Sequence, residues 1–560
     1  MSETSIPTVE DRHRPETVRG FYETGMWRDE VLSTILDHWC AHQPERIYVS
    51  DGHGELTYAQ LRGQAHRLAA RLRELGLGVG DRVVVQLPNW NEFAVIYLAL
   101  ARIGAILVPI MPVYRHDEVA YITEHTAARG LFTTGVFRGF DHLAMVRELR
   151  AGLPSLGVVG VVRADAGSGE VSLTDLTEPR DGDRVPTDAE LGPMPGPDDG
   201  HAIIFTSGTE ARPKGCLHTF NTLGFTLRAL GRTLRLGPDD VTFMPSPVTH
   251  STGLAMGLGA PLVAGGSVHL MDVWEPAAGL RRIREHRCTT TTTAAPFVQM
   301  AVDAYDSARD DVSTLRVWLC GGAPVPTTLV ERVAGIWPGC RLLSLYGRSE
   351  TFLTTVCGLD DPVDRVARSD GRPREGVEMA LLDEEGTPVP AGAEGEIVQR
   401  GPGVMLGYWR DPERTAVTFD APGWCHSGDL GRVDADGYLR VTGRLKDLII
   451  RGGVNISARE VEEHLLAHPR VRGVALVAMP DPLLGERACA WVVPAGDPPT
   501  LKELTDFLRH ERRIAVTKLP ERLEILDALP MTATGKVRKF ELRERLSRIL
   551  EQEIACVPSE

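Results

Sequence analysis

The stretch from residue 56 to residue 110 alternates two helix patterns with two short apolar strand patterns. Its first helix carries apolar residues at helical spacing, and "RVVVQL" follows as a buried strand. The segment 92–110 repeats the same order of helix and strand. Helices that separate strands buried on both faces predict an α/β fold whose sheet is mainly parallel. The apolar stripe of the first helix consists of Leu61, Ala65, Leu68, Ala69 and Leu72.

Two further regions of the 560-residue chain differ in composition and sequence pattern from this stretch. Residues 165–200 are rich in Pro, Gly and Asp, which predicts a surface excursion. Residues 372–445 show short strands with frequent turns, which predicts a β-rich subdomain. Strand and helix patterns of a compact α/β unit follow Arg444. We therefore predict a large N-terminal domain over residues 1–445 and a small C-terminal α/β domain over residues 446–560.

Charge and composition exclude some classes of partner. The formal net charge is −15, which argues against nucleic acid as a partner because that would require a basic face. A local cluster of Lys and Arg could still hold a nucleotide. No apolar run approaches the ~18 residues of a membrane span, and the first residues lack the apolar core of a signal peptide. The nine cysteines form no CxxC pair. These features predict a cytoplasmic protein with no membrane span.

The stretch "TSGTEARPKG" (206–215) has the composition of a phosphate-binding loop. An apolar run, 202–205, precedes it and a helical pattern, 219–234, follows, so the expected outline is strand, loop, helix. The order differs from that of a P-loop, where the lysine comes last and opens the helix. Hydroxyls, backbone amides and one lysine can nevertheless hold anionic oxygens; a flexible surface loop is the alternative. The candidate phosphate-binding residues are Thr206, Ser207, Gly208, Thr209 and Lys214.

Four other segments carry residues suited to a nucleotide. "LYGRSET" (345–351) offers an aromatic ring, a hydroxyl and a carboxylate, which could stack on a purine, reach a phosphate and hold Mg²⁺. "WLCGGAPVP" (318–326) predicts a tight turn at the end of a strand. The segment 424–449 carries Asp429 and Arg444 as ribose candidates, and "LPMTATGKVRK" (529–539) carries a lysine. Each feature taken singly also has an ordinary structural interpretation.

Taken in this order, the motifs closely resemble those of the adenylate-forming enzymes, which include acyl-CoA synthetases and nonribosomal adenylation domains. The resemblance runs from "LTYAQL" (56–61) to "TGKVRK" (534–539). "SGTEARPKGCLHTFNT", "HSTGLAMGL" and "MDVWEP" are most similar to the medium-chain and cyclohexanecarboxylate-type acyl-CoA ligases. The resemblance implies that a carboxylic acid is joined to AMP with release of pyrophosphate, and that coenzyme A then accepts the acyl group.

The resemblance also implies a role for each matching residue. The implied catalytic residues are Lys536, Glu350 and His250. The implied phosphate ligands are the five loop residues above with Ser349, and the implied Mg²⁺ ligands are Glu350 and Thr206. The implied adenine and ribose ligands are Gly321, Gly322, Ala323, Pro324, Tyr346, Asp429 and Arg444. The implied acyl pocket consists of His250, Gly257, Ala294, Ala295, Gly347 and Arg348. The implied hinge is Lys446, and the implied coenzyme A tunnel contains Gly452 and Gly453.

Two questions stay open at this point. Arg348 occupies a position that is usually uncharged in the family, so it could form an outward salt bridge or face an anionic group of the substrate. The predicted function is an ATP-dependent and Mg²⁺-dependent carboxylate–CoA ligase acting on a small carboxylic acid. The alternatives are a diazotase that adenylates nitrite and diazotises an arylamine, an adenylating enzyme that loads a carrier protein, and a non-catalytic adenylate-binding protein. The last alternative predicts loss of Lys536 or Glu350, and both are present.

Overall fold

A computed structural model describes residues 6–179, 184–206, 212–322, 325–532 and 536–555. Its strands are, in chain order, β1 Ile47–Ser50, β2 Glu55–Thr57, β3 Arg82–Val85, β4 Ile106–Pro109, β5 Gly130–Thr134, β6 Val136–Phe137, β7 Phe140–Asp141, β8 Val158–Val162, β9 Val171–Ser172, β10 Gly200–Phe205, β11 Gly215–Thr219, β12 Val241–Met244, β13 Ser267–Leu270, β14 Thr290–Thr293, β15 Val317–Gly321, β16 Arg341–Tyr346, β17 Thr355–Val356, β18 Glu378–Leu382, β19 Glu394–Arg400, β20 Gly407–Tyr408, β21 Cys425–Val433, β22 Leu439–Arg444, β23 Leu448–Arg451, β24 Val454–Ser457, β25 Val471–Asp481, β26 Gly485–Pro494 and β27 Arg522–Ile525.

The helices are, in chain order, α1 Val9–Arg12, α2 Pro15–Glu23, α3 Leu32–His42, α4 Tyr58–Glu74, α5 Asn91–Ile103, α6 His116–His125, α7 His142–Leu149, α8 Leu173–Thr177, α9 Asp188–Leu191, α10 Phe220–Leu234, α11 Ala260–Ala264, α12 Pro276–Glu285, α13 Ala295–Ala304, α14 Thr327–Ile336, α15 Val363–Arg368, α16 Pro412–Thr418, α17 Ala458–Leu466, α18 Leu501–Asp506 and α19 Lys539–Ala555. Helical turns of other types cover Arg150–Gly152, Gly253–Gly259, Leu445–Asp447, Phe507–Glu511 and Val516–Lys518.

Two eight-stranded sheets form the body of the molecule. One has the order β17-β16-β15-β14-β12-β13-β1-β2, and the other has the order β20-β11-β10-β4-β3-β5-β8-β9. The central pairs of both sheets are parallel, whereas antiparallel pairs lie at their ends. The predicted α/β fold with a mainly parallel sheet is therefore confirmed.

The helix α4 shows why the sequence folds in this way. Its predicted stripe, from Leu61 to Leu72, is buried, and its N-terminus is capped by the Thr57 side chain, which accepts from the Gln60 backbone amide. A cap of this kind satisfies amides that the helix leaves unpaired. The stripe packs against α5 and joins the main hydrophobic core. Burial of the apolar face on the sheet therefore fixes the helix orientation.

Two smaller sheets follow. The strands β18-β19-β21-β22 form the predicted β-rich unit, with antiparallel neighbours throughout. The last sheet has the order β24-β23-β26-β25, and β27 pairs with β26. The helices α17 and α19 pack on β25, so the smaller C-terminal unit is also α/β. None of the helices in the described ranges is long and apolar enough to cross a membrane.

The strand predicted over 202–205 and the helix predicted over 219–234 are confirmed, but the outline lacks the strand β11, which lies between the loop and the helix. The loop joins β10 to β11, which are antiparallel neighbours with Phe205 opposite Gly215. The helix α10 begins only after β11, and Thr219 caps it. The reason is the buried segment "GCLHT", whose five residues complete the edge of the sheet instead of starting the helix. The strands on either side of the loop therefore pair with each other.

Candidate active site

Most of the predicted site residues lie at the carboxyl ends of four neighbouring parallel strands. The strands β12, β14, β15 and β16 are neighbours in one sheet, and each is parallel to the next. The carboxyl edge of such a sheet is where α/β proteins bind ligands. The topology therefore brings together residues separated by up to 100 positions. The predicted residues at or just after these ends are His250, Ala294, Ala295, Gly321, Gly322, Tyr346, Gly347, Arg348, Ser349 and Glu350.

Tyr346, Asp429 and Arg444 form one connected group. The Tyr346 hydroxyl donates to Asp429 Oδ2 over 2.7 Å, and Arg444 Nε lies 2.9 Å from Asp429 Oδ1. The register of β21 and β22 sets this geometry because it places Asp429 opposite Arg444. Burial and the Asp429 charge raise the pKa of Tyr346 well above its usual value. Both carboxylate oxygens of Asp429 therefore have protein partners at the edge of the sheet.

Glu350 is buried close to this group. The Tyr408 hydroxyl donates to Glu350 Oε1 over 2.7 Å, and Arg348 Nη1 lies 3.8 Å from Glu350 Oε2. Burial alone would raise the pKa of Glu350, but Arg348, the Tyr408 hydroxyl and Lys214 outweigh it, so the pKa lies below the usual value. Lys214 Nζ lies 5.3 Å from the centre of the Tyr408 ring. Glu350 is therefore an ionised carboxylate at neutral pH.

The Arg348 side chain points inward, so the outward salt bridge is wrong. Its Nη2 donates to Cys425 Sγ over 3.4 Å, in addition to the Glu350 contact. Although burial disfavours the charge, Glu350 keeps the pKa of Arg348 well above its usual value. The physical reason is that the chain turns tightly after β16. A Cβ on Gly347 would overlap the Phe352 carbonyl oxygen, and this turn directs residue 348 towards β21.

Lys536 reaches the same edge from the C-terminal unit. Its Cε lies 3.5 Å from the position that a Cβ would occupy on Gly322, whose φ is +78°. The backbone is held by a small turn, in which the Lys536 amide donates to Thr532 Oγ1 over 2.9 Å. Burial and, secondarily, the Arg444 charge lower the pKa of Lys536 to about 8. A Cβ at residue 322 would be in van der Waals contact with Lys536, and the positive φ of Gly322 also favours glycine there.

His250 faces Lys536 from the end of β12. Burial and the Lys536 charge lower the pKa of His250 to about 3, so the imidazole is neutral at physiological pH. Gly257, in the helical segment that follows, packs against β12, and a Cβ there would lie 2.7 Å from Met244 Cγ. Ala294 and Ala295 are buried at the start of α13. This side of the edge is consequently lined by small and uncharged groups.

The remaining predicted residues lie away from this cluster or outside the described ranges. Gly452 and Gly453 form the turn between β23 and β24, with φ of +57° and +84°, and they are exposed beside Leu484. Lys446 lies in the turn between β22 and β23 and contributes to the pKa of Lys536. Thr206 directly follows β10, and its amide donates to the Lys214 carbonyl. The predicted residues outside the described ranges are Ser207, Gly208, Thr209, Ala323 and Pro324.

A model of the AMP-binding enzyme family matches residues 36–409, and a model of the AMP-binding enzyme C-terminal domain matches residues 460–536. The chain belongs to the AMP-binding enzyme family. This assignment confirms the resemblance to adenylate-forming enzymes that the motifs indicated. The protein is an adenylate-forming ligase that uses ATP, of the AMP-forming acid–thiol ligase class.

Individual relatives of this AMP-binding enzyme differ in their acids and acceptors. The chain is 37% identical to the medium-chain fatty-acid–CoA ligase of Escherichia coli strain K12, over 95% of this chain and 94% of that protein. It is 34% identical to the 2,3-dihydroxybenzoate-AMP ligase of Bacillus subtilis strain 168, over 96% and 97% respectively. A solved anthranilate CoA ligase in complex with anthranoyl-AMP superposes with a TM-score of 0.85 at 26% identity, covering 93% of this chain and 98% of that one.

Three residues at the site of this AMP-binding enzyme were missed by sequence reasoning. Tyr408 donates to Glu350, Cys425 accepts from Arg348, and His218 Nε2 donates to the Ser349 carbonyl over 2.8 Å. Tyr408 and His218 lie on β20 and β11, which pair with each other at the end of the second sheet. Only the position of His218, four residues after Lys214 in a buried segment, offered a signal in the sequence.

Proposed function

We propose that this AMP-binding enzyme joins a carboxylic acid to AMP with release of pyrophosphate and then transfers the acyl group to the thiol of coenzyme A. The observation that carries the proposal is the position of Lys536 against Gly322, within electrostatic reach of Arg444, Asp429 and Glu350. In the first step a carboxylate anion must approach the α-phosphorus of a polyanion. Catalysis of such a step requires positioning and neutralisation of charge.

The nucleotide is proposed to lie along the carboxyl ends of β15 and β16. Gly322 leaves room for a flat ring because it carries no side chain, and the Tyr346 ring supplies an apolar face for adenine. Asp429 and Arg444 would bind the ribose hydroxyls, with the Asp429 carboxylate exchanging its Tyr346 contact for a hydroxyl. The loop after Thr206 and the Lys214 ammonium would hold the β- and γ-phosphates. Ser349 would contact the α-phosphate.

The residues present fit one Mg²⁺ ion bound together with ATP. Mg²⁺ is usually held by one or two carboxylates plus substrate phosphates and water. Glu350 offers one ionised carboxylate, and Thr206 offers a hydroxyl. Within the described ranges no group of three or more acidic, His or Cys side chains could hold a metal alone. When bound, Mg²⁺ neutralises phosphate charge; the protein positions the phosphates through Lys214 and Ser349.

The acid is proposed to enter beside His250. The neutral imidazole can approach a carboxylate without trapping it as a permanent ion pair, since its pKa is held near 3. Lys536 then supplies the positive charge that both the acid and the α-phosphate need. Gly257, Ala294 and Ala295 keep the adjoining volume lined by small groups. This lining suits a ring or a branched acid.

The second half-reaction requires a different placement of the C-terminal domain. Gly452 and Gly453 are exposed at a hairpin turn and have no contact with the Lys536 cluster. We propose that the domain rotates about Lys446 and brings this turn to the active site, where the two glycines let the pantetheine thiol pass close to the backbone. Domain rotation of this kind allows two faces to serve one site in turn.

Transfer to a carrier protein is the second candidate for this step. It is supported by relatives whose names differ in the acceptor, one being a medium-chain fatty-acid–CoA ligase and another a salicyl-AMP ligase and salicyl-S-ArCP synthetase from Mycobacterium tuberculosis. Both acceptors present a thiol to the acyl adenylate, so the first half-reaction is common to them. The difference concerns the surface around the tunnel and leaves the roles of Lys536 and Glu350 unchanged.

Pyrophosphate release with a panel of acids tests the proposal. Aliphatic, alicyclic and aryl acids, and nitrite with an arylamine, are each assayed with ATP and Mg²⁺ in the presence and absence of coenzyme A. We expect acid-dependent pyrophosphate release and, with the preferred acid, a thioester that forms only with coenzyme A. A thioester that forms only on a phosphopantetheinylated carrier would favour the second candidate. Turnover confined to nitrite and arylamine would contradict both.

A further inference from the structure

The Arg348 guanidinium is buried with more hydrogen-bond donors than partners. Only 13% of its side chain is exposed. Its Nη2 donates to a thiol, a weak acceptor, and its buried Nε has no hydrogen-bond partner among the described residues. A guanidinium carries five N–H donors in a planar fork that suits carboxylates and phosphates. The donors at this site are therefore largely unused.

The contact between Arg348 and Glu350 is looser than a structural ion pair elsewhere in the chain. Arg348 Nη1 lies 3.8 Å from Glu350 Oε2, beyond hydrogen-bond distance. Arg163 Nη2, by comparison, lies 2.7 Å from Asp51 Oδ2 in a partly buried pair. The loose pair neutralises both charges without occupying the donors of Arg348. Arg348 can leave such a pair at a small cost in free energy when an anion that accepts its hydrogen bonds binds nearby.

Use of Glu350 as a metal ligand would take away the largest electrostatic partner of the buried Arg348, and Asp429 contributes less without being bonded to it. Removing one partner of a buried ion pair is strongly unfavourable unless another group replaces it. No other carboxylate is bonded to Arg348 in the described ranges. The replacement must therefore come from the ligand, and it must be an anion.

We propose that Arg348 is a phosphate-binding residue, which leaves Glu350 and pairs with a phosphate oxygen of ATP when Mg²⁺·ATP binds. This inference rests on the proposed nucleotide site. The contacts of Arg348 run to β21 and Glu350, on the side of Tyr346 and Asp429. The proposed binding region for the carboxylic acid begins at β12 and β14, around His250. A phosphate, and not a second charged group of the acid, is therefore the anion within reach.

Calorimetric titration of the full chain with adenosine, AMP and Mg²⁺·ATP tests this inference. We expect Arg348→Met to weaken Mg²⁺·ATP binding about 10-fold or more, since a hydrogen bond to a charged group contributes about 1.5–3 kcal/mol. Adenosine binding should change less than about 2-fold. Arg348→Lys should restore part of the loss because it keeps the charge without the fork. The first ligand in the series that shows the loss identifies the phosphate.

Two further variants separate a phosphate contact from other effects. Arg12→Met removes the other guanidinium within electrostatic reach of Cys425 and should leave ATP binding unchanged. Glu350→Gln removes the carboxylate that Arg348→Met would leave unpaired. Comparison of Glu350→Gln with the double variant therefore measures Arg348 in a background where its removal leaves no unpaired carboxylate.

The outcomes are distinct. Equal affinity of wild type and Arg348→Met for every ligand would overturn the inference. An equal loss of affinity for adenosine and ATP would also overturn it, because it would indicate a structural role for Arg348. Absence of ATP binding by the wild-type chain would instead overturn the proposed nucleotide site. A loss confined to phosphorylated ligands, in both the wild-type and the Glu350→Gln backgrounds, is the result we expect.

Discussion

Glu350 and Lys536 meet at one edge of a sheet, but they are held there by very different means. Glu350 follows β16 in the main core, and its carboxylate and carbonyl receive hydrogen bonds from Tyr408 and from the Met405 amide. Lys536 lies on a small turn of the C-terminal unit, bonded to Thr532 within the same turn. The carboxylate is thus part of the rigid scaffold, whereas the lysine is placed by the position of a whole domain.

This difference separates two kinds of catalytic contribution. Groups held by the core are available in every domain arrangement, so they can bind the nucleotide throughout the cycle. Under the proposed domain rotation, Lys536 is available only in the arrangement that the structure records, beside Gly322. Removing Lys536 should therefore affect one half-reaction selectively, while disturbance of the Glu350 scaffold should affect nucleotide binding in both.

The largest expected effect is the loss of the first half-reaction in Lys536→Ala. Pyrophosphate release should fall at least about 100-fold, because one well-placed electrostatic group supplies about 3 kcal/mol or more of transition-state stabilisation. Thioester formation from pre-made acyl adenylate should stay within about 3-fold of wild type. Lys502→Ala, at an exposed position paired with Asp506, is the control. Equal loss of both half-reactions would contradict delivery of the lysine by domain placement.

The second prediction concerns pH. Burial and the Arg444 charge favour the neutral amine, and they lower the pKa of Lys536 to about 8. The positive charge is therefore present below pH 8 and lost above it, so kcat/KM for adenylation should fall about 10-fold per pH unit at high pH. Lys536→Arg keeps its charge and should show no such fall between pH 8 and pH 10. An identical alkaline limb in both enzymes would assign the titration to another group.

The sequence was sufficient for the α/β fold with its mainly parallel sheet, because this depends on local apolar patterns. The stripe of α4 and the buried strands after it are examples. The sequence was insufficient for contacts between segments that lie far apart in the chain. The pairing of β11 with β20 places Tyr408 beside Glu350, and no local pattern records that contact. The direction of Arg348 likewise depends on the Phe352 carbonyl behind Gly347.

His218 should contribute less than Lys536 because it acts through the backbone. Its Nε2 donates to the Ser349 carbonyl, and burial lowers its pKa to about 4, so the ring remains neutral. His218→Leu leaves that carbonyl unsatisfied, which should cost about 1–3 kcal/mol of stability. We expect the KM for ATP to rise about 5-fold to 10-fold as the Glu350 segment shifts. Thermal unfolding and steady-state kinetics measure the two effects.

The conservative variant distinguishes positioning from general destabilisation at this residue. His218→Gln retains an amide donor and should recover most of the ATP affinity. His201→Leu is the matched control, since His201 is also buried and its bond is to Tyr97 and not to the Ser349 carbonyl. It should lose stability without a change in the KM for ATP. A KM that rises equally in both leucine variants would show that burial of a histidine, and not the Ser349 contact, is responsible.

The smallest expected effect lies at the junction between the main body and the C-terminal unit. Arg459, on α17, lies 3.6 Å from Asp370 and 3.3 Å from Glu463, and Glu463 also pairs with Arg440 of β22. This network crosses the predicted domain boundary in the arrangement that presents Lys536. Arg459→Met should therefore lower adenylation about 2-fold to 5-fold, because the contact with Asp370 across the boundary is longer than a hydrogen bond. Thioester formation from pre-made adenylate should be unchanged or faster.

The ratio of the rates of the two half-reactions is the decisive measurement for Arg459, because a simple loss of stability would lower both rates together. Arg470→Met removes an ion pair with Glu503 that lies within the C-terminal unit, so it provides a matched change that does not cross the boundary. It should leave the ratio at its wild-type value. If Arg459→Met also left the ratio unchanged, the contacts of Arg459 across the boundary would have no part in choosing the domain position.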